Sequence, residues 1–259
     1  MQYFINCFCS FAKLSPKFIS LAFSATSAFF AKETTAVNTA QKEIHKIEID
    51  YEAAIRAKDA AKLKALVETI KKSQTSVKTL RSEIEVHTES EHADVSFFER
   101  IMLECLHIRT GIYAEALKTI AQEILGQQNG LSEYPVYTFS EKIESARILL
   151  TEKFTTSLKL TQDTDSILAN AAAKNISLTT AEKVTVGKNL DTIVKQVTAI
   201  HAELATVYFG ELEIIHQTGK TLRLLQKMET EAIVDEISFV VHFITEFHKL
   251  FKEIVDSEP

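Results

Sequence analysis

Residues 190–207 read LDTIVKQVTAIHAELATV, in which Leu190, Ile193, Val197, Ile200, Leu204 and Val207 recur at alternating steps of three and four. That spacing is a heptad, the mark of a helix whose apolar seam packs along neighbouring helices. The same reading extends over most of the chain. A first helix is predicted from about Thr35 to Ala57, with Ile44, Ile47, Tyr51 and Ile55 on one stripe. Asp59 can cap a second, carrying Leu63, Leu66, Ile70, Val77, Leu80 and Ile84. The corner Ala57-Lys58-Asp59 reads either as a tight helical hairpin or as part of an uninterrupted rod.

The pattern breaks near His87, where Thr88-Glu89-Ser90-Glu91 resembles a capping box. The third helix then runs to about Leu125 and stops at Gly126, with Phe98, Ile101, Cys105, Ile108 and Ile112 as its seam. Residues 126–138, with two glycines, Pro135, Tyr134 and Tyr137, read as the clearest loop. Thr138-Phe139-Ser140-Glu141 opens a fourth helix to about Lys174, and Thr179 with Glu182 caps a fifth that reaches Met228. A last amphipathic helix covers about Glu231 to Val255.

Composition agrees. The chain has 259 residues but only three prolines and six glycines, so obligatory helix breaks are few. Helices of more than thirty residues are about 45 Å or longer, and short turns make their neighbours antiparallel. The expected fold is therefore all-α: an elongated antiparallel bundle of five to six long helices with coiled-coil-like packing. Its body is residues 32–259, divisible into halves 32–126 and 138–259. The net charge of −6, with the two signs interspersed, argues against a nucleic-acid footprint. Cys7, Cys9 and Cys105 make neither a pairing framework nor a zinc knuckle.

Residues 1–31 are different. They contain no acid before Glu33, carry Lys13 and Lys17, and concentrate aromatics at Phe4, Phe8, Phe11, Phe18, Phe23, Phe29 and Phe30. A positive flank, a short apolar run and an exit near Ser27-Ala28 describe a signal peptide. The run Phe18–Ala31 is too short to span a bilayer. A retained membrane-binding segment fits too, as does a first helix docked in the core. The first two readings place the protein outside the cell or at a membrane. The third leaves it cytoplasmic.

Three Glu-x-x-His pairs, Glu89/His92, Glu104/His107 and Glu213/His216, have the spacing used by di-metal sites in four-helix bundles. Register weighs against them. Arg100, Glu104, His107, Gly111, Glu115 and Lys118 form a polar stripe predicted to face water, and the heptad puts Glu213 and His216 on the outer face. No metal, cofactor or catalytic residue is assigned, and enzymatic activity is unsupported.

Glu211 is the oddity, an acid falling on the seam. It reads as a heptad slip at Gly210, a polar layer that fixes register, or a functional carboxylate. Gly219-Lys220-Thr221 resembles the end of a phosphate loop, but Ile214 stands where the loop needs glycine. Asn175-Ile176-Ser177 is a glycosylation sequon in a turn. Phe239, Phe243, Phe247 and Phe251 form a ladder that is either core packing or a partner- or membrane-contact face.

The function expected is that of a non-enzymatic, exported bundle that binds a protein or lipid through helix faces, with self-association as a further use of those faces. The alternative is a membrane-acting protein of pore-forming type, and a minority reading is a di-metal oxidoreductase.

Overall fold

The computed structural model describes residues 16–89, 97–128, 135–174 and 177–257. The elements are α1 (Pro16–Ala57), α2 (Ala60–Glu89), α3 (Phe97–Gln128), β1 (Tyr137–Thr138), α4 (Glu141–Lys174), α5 (Thr180–Gln217), β2 (Thr221–Leu222) and α6 (Leu224–Ser257). The fold is the all-α bundle that the heptads predict.

Several boundaries move. Helix α1 begins at Pro16, not near Thr35, so the acid-free stretch Phe18–Ala31 is helix continuous with the rest. Proline at the first helical position is compatible because its missing N–H has no intrahelical partner there, and no breaker follows before Ala57. Helix α2 persists through Thr88 and Glu89, which therefore do not open α3; the remainder of that expected capping box lies outside the described residues. Helix α3 passes through Gly126 to Gln128. Ser140, not Thr138, caps α4: its Oγ accepts from the Ile143 N–H at 3.3 Å.

Two helix stops share one geometry. At the first corner Asp59 N donates to Ala54 O at 2.9 Å and Lys58 N to Ile55 O at 3.0 Å, with Lys58 at φ 52°. At the end of α5 Lys220 N donates to Ile215 O at 3.3 Å and Gly219 N to His216 O at 3.0 Å, with Gly219 at φ +67°. Both are Schellman turns, which need one left-handed residue after the helix. The first settles the corner as a hairpin. The second ends α5 at Gln217, well short of Met228, because Gly219 adopts that conformation without steric cost.

The chain after this stop is pinned in place. Tyr137 and Thr138 pair in parallel with Thr221 and Leu222, so part of the expected 126–138 loop is strand. The Gln226 side chain then grips the backbone of Ser140 from both sides, accepting from its N–H at 2.9 Å and donating to its carbonyl at 2.8 Å.

Two large apolar clusters run side by side. One joins α1, α2 and α3 around Ile44, Tyr51, Ile70, Ile84, Leu117 and Ile120. The other joins α4, α5 and α6, with Ile101 and Cys105 of α3, around Leu150, Leu190, Val197, Ile237 and Ile244. Helix α3 packs against α1, α2 and α6 and so buries more than one face. The single predicted seam is corrected accordingly: Ile101 and Cys105 are buried, Ile108 and Ile112 only half-buried, while Leu103, Leu106, Tyr113 and Leu117 are interior.

The heptad of α5 holds from Leu190 to Leu204, then slips to Tyr208 and Ile215, leaving Val207 half-buried. The slip precedes Gly210, and the Tyr208 hydroxyl donates to Glu231 of α6 at 2.8 Å. Lys58 occupies a backbone region that costs a side-chain-bearing residue about 1–2 kcal/mol. We therefore expect Lys58→Gly to raise stability by about 0.5–1 kcal/mol in urea denaturation, net of glycine's larger unfolded-state entropy.

Candidate functional site

The charged chemistry of the bundle converges on the side of α6 that faces α1 and α3. Helix α6 is two-faced. Phe243, Phe247 and Phe251 are buried with Val240 and Ile244 in the α4–α6 core, and Phe239 stacks on Phe243 at 5.5 Å. Three of the four rungs are thus interior in the folded bundle, and Phe239 is half-buried at the edge of that core.

The other side of α6 carries Glu229 and Glu236. Glu236 is 3% exposed and receives both Arg109 Nε at 2.7 Å and Nη2 at 2.9 Å, a bidentate pair from α3. Burial pushes the Glu236 carboxyl up, opposed by Arg109; burial would lower the Arg109 guanidinium, but Glu236 holds it above its ordinary value. Two turns away Glu229 accepts from Gln41 of α1 at 2.7 Å and pairs with Arg147 of α4 at 3.2 Å. Arg147 also pairs with Glu144 of its own helix.

Nearer the N-terminus of α6, Glu48 of α1 accepts from the Leu225 N–H at 2.6 Å, and Glu52 accepts from Arg56 while pairing with Arg223 at 3.4 Å. Beside this seam, Tyr51 and Tyr137 both donate to Glu123 Oε2, at 2.7 and 2.6 Å. Burial, then that carboxylate, pushes both phenols above their ordinary range. These groups hold one another. Their chemistry here is positioning, through charge-assisted hydrogen bonds that fix which helix faces which.

The residues that stood out in the sequence fall elsewhere. Glu211 pairs with Lys142 at 2.8 Å and accepts from Ser140 Oγ at 3.2 Å, tying α5 to the start of α4; Lys142 holds its carboxyl below the usual range. Glu104 and His107 do not face open water. Both are half-buried, and His107 Nε2 accepts from Arg81 of α2 at 3.1 Å. Burial raises the Glu104 carboxyl, with His107 and Arg100 opposing. The Arg81 guanidinium also lies over Gly111, where an added Cβ would be in van der Waals contact with it at 3.4 Å.

Glu213 and His216 are exposed on α5, so the structure does not gather these two pairs. Among the described residues no group of three His, Cys, Asp or Glu is arranged to hold a metal ion. His92 and Asn175 lie outside the described residues.

An open groove of about 610 Å³ separates α1 from α2, lined by Lys32, Glu33, Lys72, Ser76, Thr79 and Glu83. Glu33 is buried there, with Lys32 at 3.2 Å bridging it to Glu83. Sequence reasoning missed the α6 seam altogether. Its only sequence signal is that Glu229 and Glu236 sit seven residues apart, on one side of a helix otherwise read for its phenylalanines.

No protein-family model matches the chain, and comparison with curated proteins and with solved structures gives no match.

Truncating one partner of the central pair leaves the other charge buried and alone. Arg109→Leu is expected to cost about 3–5 kcal/mol in chemical denaturation. The double variant Arg109→Leu/Glu236→Leu should recover most of that loss. Phe243→Ala should cost about 3–5 kcal/mol by the same measurement, as befits a buried aromatic.

Proposed function

We propose that this chain is a non-enzymatic helical-bundle protein, exported from the cell, that binds a partner protein through the outer faces of α4 and α5. One observation carries the reading. Ile148, Leu149, Val184, Phe209 and Ile214 on these two helices are each at least half exposed. Single exposed apolar residues are ordinary, but five on one antiparallel helix pair leave much apolar surface in water, and such surface favours contact with another protein. The acid-free N-terminal stretch, with its signal-peptide character, supports export.

The test is a photo-crosslinking amino acid placed at Leu149 or Phe209, with Lys71 on the exposed face of α2 as the control position. In the source cells, discrete adducts are expected from Leu149 and Phe209 and none from Lys71. Adducts at all three sites alike, or at none, would overturn the reading.

A second reading, membrane contact, is favoured by the continuity of Phe18–Ala31 with the rest of α1. No helix among the described residues is long and apolar enough to cross a membrane, so that contact would lie at the interface. The full chain should then float with phosphatidylcholine–phosphatidylglycerol vesicles, and a chain starting at Lys32 should not. A full chain left in the soluble fraction sinks this reading alone.

A further inference from the structure

The N-terminus of α6 lacks a carboxylate of its own, since no acid occurs in its first turn. Free N–H groups at a helix start attract an acceptor, and one arrives from a distant part of the chain. Glu48, on the second half of α1, is 6% exposed and places Oε1 2.6 Å from the Leu225 nitrogen. It is a cap supplied by tertiary structure. It also belongs to the seam that joins the two cores, where Gln41–Glu229, Arg147–Glu229, Arg223–Glu52 and Arg109–Glu236 are further polar ties to α6 or the residue just before it.

We propose that Glu48 is the titrating element of a latch that holds α1 against the start of α6 while its carboxyl is protonated and slackens when it ionises.

The neighbourhood supplies the reason. On α1, Glu52 stands one turn from Glu48 and is already engaged by Arg56 and Arg223. On α6, Glu229 faces the same seam and is claimed by Gln41 and by Arg147 of α4, which is itself shared with Glu144. An ionised Glu48 is therefore buried between two other acids whose cations are occupied, with Arg223 and one backbone N–H in its favour.

Burial pushes the Glu48 carboxyl up to about 7; the Leu225 N–H and Arg223 oppose this, while Glu52 and Glu229 add to it. A carboxyl raised by folding contributes stability that is fully present below its unfolded value and is lost as pH rises through its folded one. For Glu48 that window runs from the ordinary 4.5 to about 7. A protonated Glu48 keeps its carbonyl oxygen for Leu225, so the cap survives while the repulsion goes. The latch rests on this seam alone and is independent of the partner proposed above.

Hydrogen exchange on the full chain tests it. After correction for the intrinsic pH dependence of exchange, protection at Leu225 and Gln226 should fall about tenfold or more between about pH 5.5 and about pH 8.5. In Glu48→Gln the fall at Leu225 should vanish. An equal fall in Glu48→Gln, or none in the unmodified protein, overturns the proposal. Should Glu48→Gln not fold, the Glu48 carboxyl resonance of the unmodified chain decides. A titration midpoint near neutrality supports the latch, and one in the ordinary carboxylate range refutes it.

Discussion

The Arg109–Glu236 pair joins α3 to α6 where the Glu236 carboxylate is almost wholly buried and needs a partner to stay ionised, and that requirement sets the register of the two helices. A methylene-rich contact between them would tolerate a slide of one turn, since one aliphatic side chain substitutes readily for the next. A bidentate guanidinium–carboxylate contact does not tolerate it, because both parallel hydrogen bonds are lost together. Once α3 and α6 are aligned, Gln41 and Arg147 reach Glu229, Glu48 reaches the start of α6, and the two apolar clusters take their places on either side.

This arrangement divides the work between two kinds of interaction. Burial of each large aliphatic or aromatic side chain contributes about 1.5–3 kcal/mol, and the two clusters together bury dozens of them, so they carry the stability. The polar seam adds less net stability, because desolvation offsets much of its Coulomb attraction. What it adds is uniqueness of the pairing. Helix α6 shows both in one element: its Phe ladder packs on the α4–α6 core, and its Glu229 and Glu236 reach partners on α1 and α3.

The two Schellman turns show how far local chemistry reaches. The glycine version at Gly219 and the lysine version at Lys58 have matching hydrogen bonds. Only the first uses a residue suited to its backbone. At Lys58 the antiparallel docking of α1 on α2, through Ile55 and Leu63 and their neighbours, imposes a left-handed conformation that the residue itself disfavours. The long-helix reading overran Gly219 because Leu224, Leu225 and Met228 continue an apolar periodicity beyond it, and periodicity cannot see a change of direction.

The sequence by itself determined the helical class, the antiparallel order, the Thr179–Glu182 capping box and the α5 seam as far as Leu204. These depend on contacts within a few residues or on a repeat that any packed helix must satisfy. It also marked Glu211 as an acid in an unexpected register, whose contacts in the folded chain are Lys142 and Ser140. Tertiary structure alone decided which faces of α3 are interior, that His107 lies under Arg81, that Phe243, Phe247 and Phe251 are core, and that Glu229 and Glu236 of α6 form a seam with Arg109, Arg147 and Gln41. The hydrogen bonds from Arg81 to His107 and from Gln41 to Glu229 join residues 26 and 188 positions apart. A buried charge is indistinguishable in sequence from an exposed one, because what separates them is the partner that folding brings alongside.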